Sequence, residues 1–508
     1  MLRTSLALIV LALFTGCSSG GDMPPASDAG TDAPGDDAGS DAGTDAGTDA
    51  GPPPPRLFIT DMQGRALILH GINDGTAKDD PEFSPSFTEP DVQRFTDEWG
   101  LNFDRYLVFW EAAEPTPGTI DQAYLDRIQT RLDWAAAHGM MVMLDMHQDV
   151  YARRFCCDGA PSWAIRDDGQ PFTLQSIWSL NYVQPAVEHA FDNFWSYDAA
   201  NRDLQDHYGD VLVALATRFH DHPALLGFDL INEPSGGSAI DLNEIQRGVA
   251  TGPTSRTSVF DQTRLIPFYQ RMIERIRAVD QDHWIFFEPR FGAAGSGAVQ
   301  YFPPLTDPRA GEPRIVYAPH LYSFLYEAAS AYQPTDRTVA RWEAARIEES
   351  RTTNYPILMG EFGMDRTFPG AAQYLDDVLD MADRQMLSWA YWAYSPGTWG
   401  FWDPVAMTEH PNIDQLVRVY PQRVAGTPTS WSWDRHTHVF TLAFDTRAGV
   451  TGPTEIFVPS ERFFAGGFDV TSTDPMGSWS STFDATRHVL SITTSDTVPS
   501  HAFTIAPR

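Results

Sequence analysis

The chain is predicted to be an α/β protein, a (β/α)8 TIM barrel followed by a C-terminal antiparallel β-sandwich. Three observations lead there. Short apolar, β-rich runs recur eight times between residues 66 and 394, with amphipathic helical patterns between them, as in βα units around a parallel sheet. Many of these runs end in polar or charged residues, the place where barrels build their sites, which favours a barrel over a doubly wound open sheet. After about Tyr420 the helical patterns stop, and short strands separated by Gly, Pro, Asp and Ser turns take over, the texture of a sandwich.

Taken in order, residues 1–17 read as an export signal: Arg3, a short apolar run from Leu6 to Phe14, then Thr15-Gly16-Cys17. A Cys directly after Gly matches a bacterial lipobox, so Cys17 is expected to be lipidated. Phe14, where such boxes usually carry Leu, leaves plain secretion as the alternative. The apolar run is too short to span a bilayer. Residues 18–55 are expected to be a disordered, acidic tether: residues 22–51 hold eight Asp and no Lys or Arg in Asp-Ala-Gly-Thr repeats, which cannot bury apolar surface and repel one another. The expected location is outside the cytoplasm, lipid-anchored at a bacterial outer membrane or cell surface, or secreted.

The barrel is expected over residues 56–419. Its eight runs are Ala66–Asn73, Asn102–Trp110, Met141–His147, Leu225–Glu233, Trp284–Arg290, Arg314–Tyr322, Pro356–Phe362 and Ser388–Tyr394. Helical patterns lie at Tyr124–His138, Val211–His220, Ile266–Val279 and Val339–Ser350. In the first of these Leu125, Ile128, Leu132 and Ala135 recur at helical spacing and Gly139 stops the helix. The third connection, from Gln148 to about His207, is far longer than a median loop. It carries Trp163, Phe172, Trp178, Tyr182, Phe191, Phe194 and Trp195, and reads as ordered and wall-forming. Residues 420–508 are expected to form the sandwich, with strands at His438–Phe444, Glu455–Val458, Phe468–Thr471 and His488–Thr493.

A net charge of −33 argues against a nucleic-acid partner and against electrostatic adhesion to anionic lipid. The 15 Trp and 17 Tyr supply the flat, polar-edged rings that both cores and sugar clefts use. Besides Cys17, only the adjacent Cys156 and Cys157 are present. Two free thiols and a vicinal bridge are both open readings, and no disulfide framework holds the chain.

Two strand ends carry the chemistry. The fourth gives Asp229-Leu230-Ile231-Asn232-Glu233-Pro234 and the seventh Met359-Gly360-Glu361-Phe362-Gly363. Cleaving a glycosidic bond with retention needs one carboxylic acid to protonate the leaving oxygen and a second carboxylate to attack the anomeric carbon, about 5–5.5 Å apart. Strands 4 and 7 lie across a barrel mouth from each other, so Glu233 reads as acid/base and Glu361 as nucleophile. The competing reading is that either Glu merely pairs with an Arg at the rim. Glu288, in Phe287-Glu288-Pro289, is a rival that lacks a preceding Asn and suits a substrate contact or salt bridge.

Arg105 inside strand 2 can keep the nucleophile ionised. His147 and His320 end strands 3 and 6, where they can orient carboxylates or sugar hydroxyls; Tyr322 can hydrogen-bond the nucleophile, and Trp392 can floor the sugar. Each residue taken alone also has a bland reading as a core His, a packed Trp or a structural Arg. A zinc site at His147, Asp149 and His320 lacks the His spacing of metal hydrolases, and no Gly-rich nucleotide loop or Gly-x-Ser-x-Gly elbow occurs. No metal and no cofactor are expected.

With these residues the chain resembles glycoside hydrolase family 5 and, within it, the endoglycoceramidases, over nearly all of residues 56–508. The general motifs are Arg105, His147, Asn232-Glu233-Pro234, His320-x-Tyr322, Glu361 and Trp392. More specific are Asp145-Met146-His147-Gln148-Asp149-Val150-Tyr151, Asp158-Gly159-Ala160-Pro161-x-Trp163-Ala164, Gln184-Pro185-Ala186 ahead of Phe191-Asp192-Asn193-Phe194-Trp195, and the junction Ala425-Gly426-Thr427-Pro428. The resemblance implies an endo-acting β-glycosidase that cuts between glycan and ceramide in a glycosphingolipid, with Lys78, Asp149, Trp178 and Asn232 holding the glycan near the cut. The alternatives are a β-glucanase or mannanase of the same family acting on polysaccharide, and a non-catalytic glycan-binding surface lipoprotein.

Overall fold

In the computed structural model, residues 53–240, 258–292, 297–322 and 330–508 are described. The signal, Cys17 and the tether up to residue 52 lie outside them. Eight parallel strands form one sheet: β1 His70–Asp74, β2 Phe103–Phe109, β3 Met141–His147, β4 Leu225–Asp229, β5 Trp284–Phe287, β6 Ile315–Tyr317, β7 Leu358–Phe362 and β8 Ser388–Tyr394. The order around the sheet is β6-β5-β4-β3-β2-β1-β8-β7. Parallel bridges from Tyr317 to Ile357 and from Leu321 to Phe362 join β6 to β7 and close it. This is the TIM barrel the alternation of runs predicts.

The longer helices among the described residues are α1 Glu89–Asp97, α2 Gln122–His138, α3 Pro185–Trp195, α4 Arg202–Phe219, α5 Ile266–Arg277, α6 Thr338–Ser350 and α7 Ala371–Gln385. Helix α2 shows why these sequences fold as they do. Asp121 accepts a hydrogen bond from the Tyr124 amide at its start, Leu125, Ile128, Leu132 and Ala135 are buried, and Gly139 ends it at φ 73°, a left-handed backbone that glycine adopts without Cβ strain. Helix α4 begins well before the Val211 expected from periodicity. Gly209 interrupts the apolar pattern there, yet a side chain at that position would meet the Arg275 guanidinium of α5 at 2.8 Å. Gly209 is buried there and leaves room for the Arg275 side chain to lie across α4.

The first apolar run is shared between two sheets rather than being one strand. Ala66–Leu67 pairs antiparallel with Tyr420–Val424, and the chain enters the barrel only at His70. Between them the Ile68 amide donates to Gln422 O and the Leu69 amide to Ser388 Oγ, so the run stays hydrogen-bonded while changing partners. The fourth, fifth and sixth runs also stop being regular strands earlier than expected, at Asp229, Phe287 and Tyr317. Their polar tails continue as loops, tethered by bonds such as Leu230 N to Phe286 O and Asn232 N to Met146 O.

Inside the barrel the inward positions change character from bottom to top. Ile59, Leu69, Phe103, Met143, Phe286, Val316, Leu358 and Ala390 belong to one small buried cluster. Two or four residues further along β2 and β3 come Arg105, Asp145 and His147, which a period of two places on the same inner face above the apolar plug. Glu288 and His320 follow just past the ends of β5 and β6.

The C-terminal region is an antiparallel sandwich. One sheet has Ala66–Leu67, β9 Tyr420–Val424, β12 Thr454–Phe457, β15 Val489–Thr494 and β14 Trp479–Asp484 in that order. The other has β10 Thr427–Asp434, β11 Val439–Asp445, β16 Ser500–Pro507 and β13 Phe468–Ser472. At the junction, Gly426 passes so close to Asp445 O that a Cβ would sit 2.2 Å from it. Among the described residues no helix is long and apolar enough to cross a membrane.

Candidate active site

Above the plug, at the C-terminal ends of the strands, opens a cavity of about 920 Å³. Lys78, His147, Asp149, Trp178, Asn232, Glu233, His320, Tyr322, Glu361 and Trp392 all line it. Arg105 lies beneath its floor, fully buried. The site residues read from the sequence thus converge, with Cys17 lying outside the described residues.

Glu361 reaches the interior through an irregularity. Between Met359 and Phe362 on β7 the register against Trp389–Tyr391 of β8 shifts, so β7 carries one residue more than β8 over that stretch. Such a bulge re-aims a side chain that simple alternation would turn outward. Gly360 makes room: a Cβ there would meet His320 Nε2 at 2.9 Å. Glu361 Oε1 then accepts from Arg105 Nη1 at 2.7 Å and Oε2 from the Tyr322 hydroxyl at 3.0 Å.

Glu233 is held differently. Its backbone has φ 39°, an uncommon conformation for a side chain with a Cβ and a local cost of the kind concentrated at functional sites. Its amide donates to Glu288 Oε2 at 2.8 Å, and Gln148 Nε2 donates to the carbonyls of Asn232 (2.8 Å) and Glu233 (3.2 Å). Its carboxylate lies 3.0 Å from His320 Nδ1. Burial pushes the Glu233 carboxyl above its ordinary range; His320 opposes the rise, and repulsion from Glu361 and Asp149 adds to it. One oxygen of Glu233, one of Glu361 and a ring nitrogen of His320 all lie within 4.8 Å of one another.

Below them sits a charge network. Arg105 Nη2 faces Asp145 at 3.0 Å, Glu288 at 2.8 Å and Asp229 at 3.5 Å, and donates to Asn232 Oδ1 at 2.8 Å. Nη1 also donates to Asn73 Oδ1 at 3.0 Å. Glu288 Oε1 lies 3.2 Å from His320 Nε2, so this residue takes the salt-bridge role read for it and joins Arg105, His320 and the Glu233 backbone. Burial alone would lower the His320 pKa, but Glu288 and Glu361 raise it well above the usual histidine range. Burial likewise drives Asp229 well above the carboxylate range, helped by Glu288.

On the other side, His147 Nδ1 lies 2.7 Å from Asp145 Oδ2, which lifts His147 to about 10 against its burial. Its ring stacks 5.7 Å from Trp392. Lys78 bonds Asp149, faces Asp158 at 3.6 Å and sits 5.1 Å over the Trp392 ring. The three carboxylate and histidine groupings with ligand-like spacing are His147/Asp149/Asp158, Glu233/His320/Glu361 and Asp145/Asp229/Glu288. Lys78 faces the first, and Arg105 faces the second and third, so their charge is met by the protein's own cations.

Sequence reading missed Asn73, Gln148, Asp145 and Asp158 as parts of the site. Asp145 and His147 stand two apart on one strand, a signal that they share a face. The third connection divides: Tyr182, Phe191, Phe194 and Trp195 are buried in the core, whereas Trp178, 47 % exposed, lines the cavity. The expectation that these rings together form its wall is corrected accordingly. Helix α3 directs most of them inward, where Trp195 Nε1 donates to Ser235 O and so props the loop after Glu233.

Two carboxylates facing each other across the mouth of a closed parallel barrel, one cradled by an Arg and a Tyr and the other raised in pKa, form the constellation of a glycoside hydrolase. Comparison with known proteins agrees. The Cellulase (glycosyl hydrolase family 5) pattern matches residues 61–398, and the glycoside hydrolase family 5 C-terminal domain matches residues 418–506. The chain belongs to glycoside hydrolase family 5. It is 29% identical over 425 residues to endoglycoceramidase I of Rhodococcus hoagii (strain 103S), covering 81% of this chain and 80% of that protein. The structure of endo-glycoceramidase II from Rhodococcus sp. in complex with ganglioside GM3 superposes with a TM-score of 0.81 at 35% identity, covering 89% of this chain and all of that one. The same enzyme as its lactosyl-enzyme intermediate superposes with a TM-score of 0.79 at 36% identity, over 90% of this chain.

Proposed function

We propose that this hydrolase cuts the β-glycosidic bond between an intact glycan and ceramide, with retention of configuration, Glu233 serving as acid/base and Glu361 as nucleophile. The observation that carries the reading is the closeness of the two carboxylates, with oxygens and a His320 nitrogen all within 4.8 Å. Retaining glycosidases hold their carboxyl groups about 5–5.5 Å apart, whereas inverting ones leave room for a water. The lactosyl-enzyme form of the Rhodococcus relative supports the covalent route.

In the first step Glu233 gives its proton to the glycosidic oxygen while Glu361 attacks the anomeric carbon, so ceramide leaves as an alcohol and the glycan becomes an ester of Glu361. Burial favours the protonated form of Glu233, against the opposing pull of His320. Arg105 and Tyr322 hold Glu361 through separate oxygens, fixing its orientation for attack. In the second step Glu233, now a carboxylate, takes a proton from water, which attacks the same carbon and releases the glycan. Lys78, Asp149, Asn232, His147 and Trp392 offer the donors, acceptors and ring face that glycan hydroxyls and C–H surfaces need. Phe291, Phe368, Trp399 and Ile177 also line the cavity and offer apolar surface to the lipid, worth roughly 25 cal/mol per Å² buried.

Product analysis on a glucosyl-linked sphingolipid bearing several sugars tests the reading. Free ceramide plus an undegraded oligosaccharide is the expected result. Stepwise loss of terminal sugars, or cleavage of cellulose or mannan with lipid untouched, assigns the chain to the polysaccharide hydrolases of the family. The leader pattern at residues 1–17 supports export and a lipid on Cys17, which would hold the enzyme at a membrane surface.

A further inference from the structure

The adjacent cysteines line the cavity, yet the reaction leaves them unused. Cys156 and Cys157 are joined to each other by a disulfide bond, and both line the cavity on the wall that includes Lys78, Asp149 and Trp178. Two separate connections tie the bridge to that wall. On one side Cys157 precedes Asp158, whose carboxylate accepts from the Asp149 amide at 3.1 Å and faces Lys78. The backbones of Asp149 and Asp158 also exchange hydrogen bonds at 3.2 and 3.3 Å. On the other side Asn181, fully buried, donates to Cys156 Sγ at 3.7 Å and to Trp178 O at 2.9 Å. Its side-chain oxygen accepts from the Gln175 amide at 2.9 Å. Cys156 has φ 122°, a backbone conformation that L residues adopt only when their surroundings impose it.

We propose that the Cys156–Cys157 bridge is a specificity-determining element of the cavity. It is an uncharged, polarisable platform for the C–H face of a sugar ring beyond the one attached to the leaving group, and a strut that holds Trp178 at the rim. Sulfur in this form donates no hydrogen bond and accepts only weakly, so it suits the apolar face of a pyranose while Lys78, Asp149 and Asp158 stand beside it for hydroxyls. The proposal rests on the cavity being a glycoside site, and is independent of whether the leaving group is ceramide. A consequence is sensitivity to reduction. A phosphine delivers two electrons, the S–S bond breaks, each sulfur takes up one proton, and the phosphine becomes its oxide with oxygen from water. Cys156 is then free to leave its constrained conformation, and Asn181 loses a fixed partner.

The test uses the full-length enzyme with and without tris(2-carboxyethyl)phosphine, the state of the bridge being read by thiol alkylation and mass spectrometry. An aryl β-glucoside and an aryl β-lactoside are compared; both release the same phenol, so neither depends on ceramide. Reduction is expected to raise KM for the lactoside about tenfold, the order expected for losing one packed contact, with kcat nearly unchanged and the glucoside unaffected. The Cys156→Ser/Cys157→Ser double variant should show the same raised KM and no response to phosphine. Free thiols in the untreated protein overturn the proposal. So does an equal loss on both substrates with a lowered melting temperature, which marks a purely structural bridge, or unchanged lactoside kinetics after complete reduction. Failure of the ceramide reading would show separately, as a lactoside response to reduction in an enzyme that leaves glycolipid intact.

Discussion

The ends of β4 and β7 present the same chemical group in opposite surroundings. Glu361 has each oxygen occupied, by Arg105 at 2.7 Å and Tyr322 at 3.0 Å, on a strand whose bulge turns it inward. Glu233 extends past the end of its strand at φ 39°, with His320 as its one close side-chain partner among the described contacts, and burial lifts its pKa. Two identical side chains are thereby placed in different surroundings, one held by two donors and the other pushed by burial toward its protonated form. The lesson is that role follows environment, not residue type.

The largest expected effect comes from removing the carboxylate held by Arg105 and Tyr322. Glu361→Gln should lower kcat by roughly a million-fold, the scale of nucleophile loss, and should block labelling by a mechanism-based 2-fluoroglycoside in intact-mass analysis. Labelling of another carboxylate in that variant would reverse the assignment. Next, Glu233→Gln should cost about a hundred- to ten-thousand-fold on natural glycosides but far less on aryl glycosides with good leaving groups. Added azide should restore turnover and give a β-glycosyl azide; wild-type activity on a natural glycoside would remove Glu233 from the mechanism.

Arg105→Met attacks the cradle instead of the carboxylates. It leaves Asp145, Glu288 and Glu361 facing one another without their guanidinium, and breaking a buried ion pair costs about 3–5 kcal/mol. A melting temperature equal to wild type would show that the network is not the stabilising element it resembles.

A smaller, sharper test concerns the proton. Glu233 must be protonated to act as acid, so activity should fall as pH rises through its raised pKa, placing the alkaline limb of kcat/KM above the ordinary glutamate value of 4.5. Burial raises this limb first, His320 opposes it, and Glu361 and Asp149 add to it. Glu288→Gln removes one of the three carboxylates, Glu288, Glu361 and Glu233, that raise the His320 pKa, and so should move the limb while leaving the labelled nucleophile unchanged. An unmoved profile would make Glu288 a packing residue only. The smallest effect is expected at Cys17→Ser: release of the enzyme into the medium with unaltered specific activity, measured in cell fractions. Retention on the membrane would rule out a lipid on Cys17.

The periodicity of the sequence was enough to find the barrel strands and helices such as α2, because burying one face of a repeating element writes its period into the residue order. It also pointed to Glu233 and Glu361, since each closes a strand beside polar neighbours. It carried no sign that the run from Ala66 would serve two sheets, or that α4 would continue through Gly209, because both depend on what packs alongside. The same holds within the site. Alternation alone would turn Glu361 outward, and only the register shift against β8 brings it in. Glu288 read as a lesser rival, yet it joins Arg105, His320 and the Glu233 amide through residues far apart in the chain. The cysteine pair left two readings open; in the folded chain the two sulfurs are bonded to each other and line the cavity. Sequence determined which residues could do chemistry; tertiary structure decided how each is charged and aimed, because burial, register and the nearest opposite charge are properties of neighbours in space.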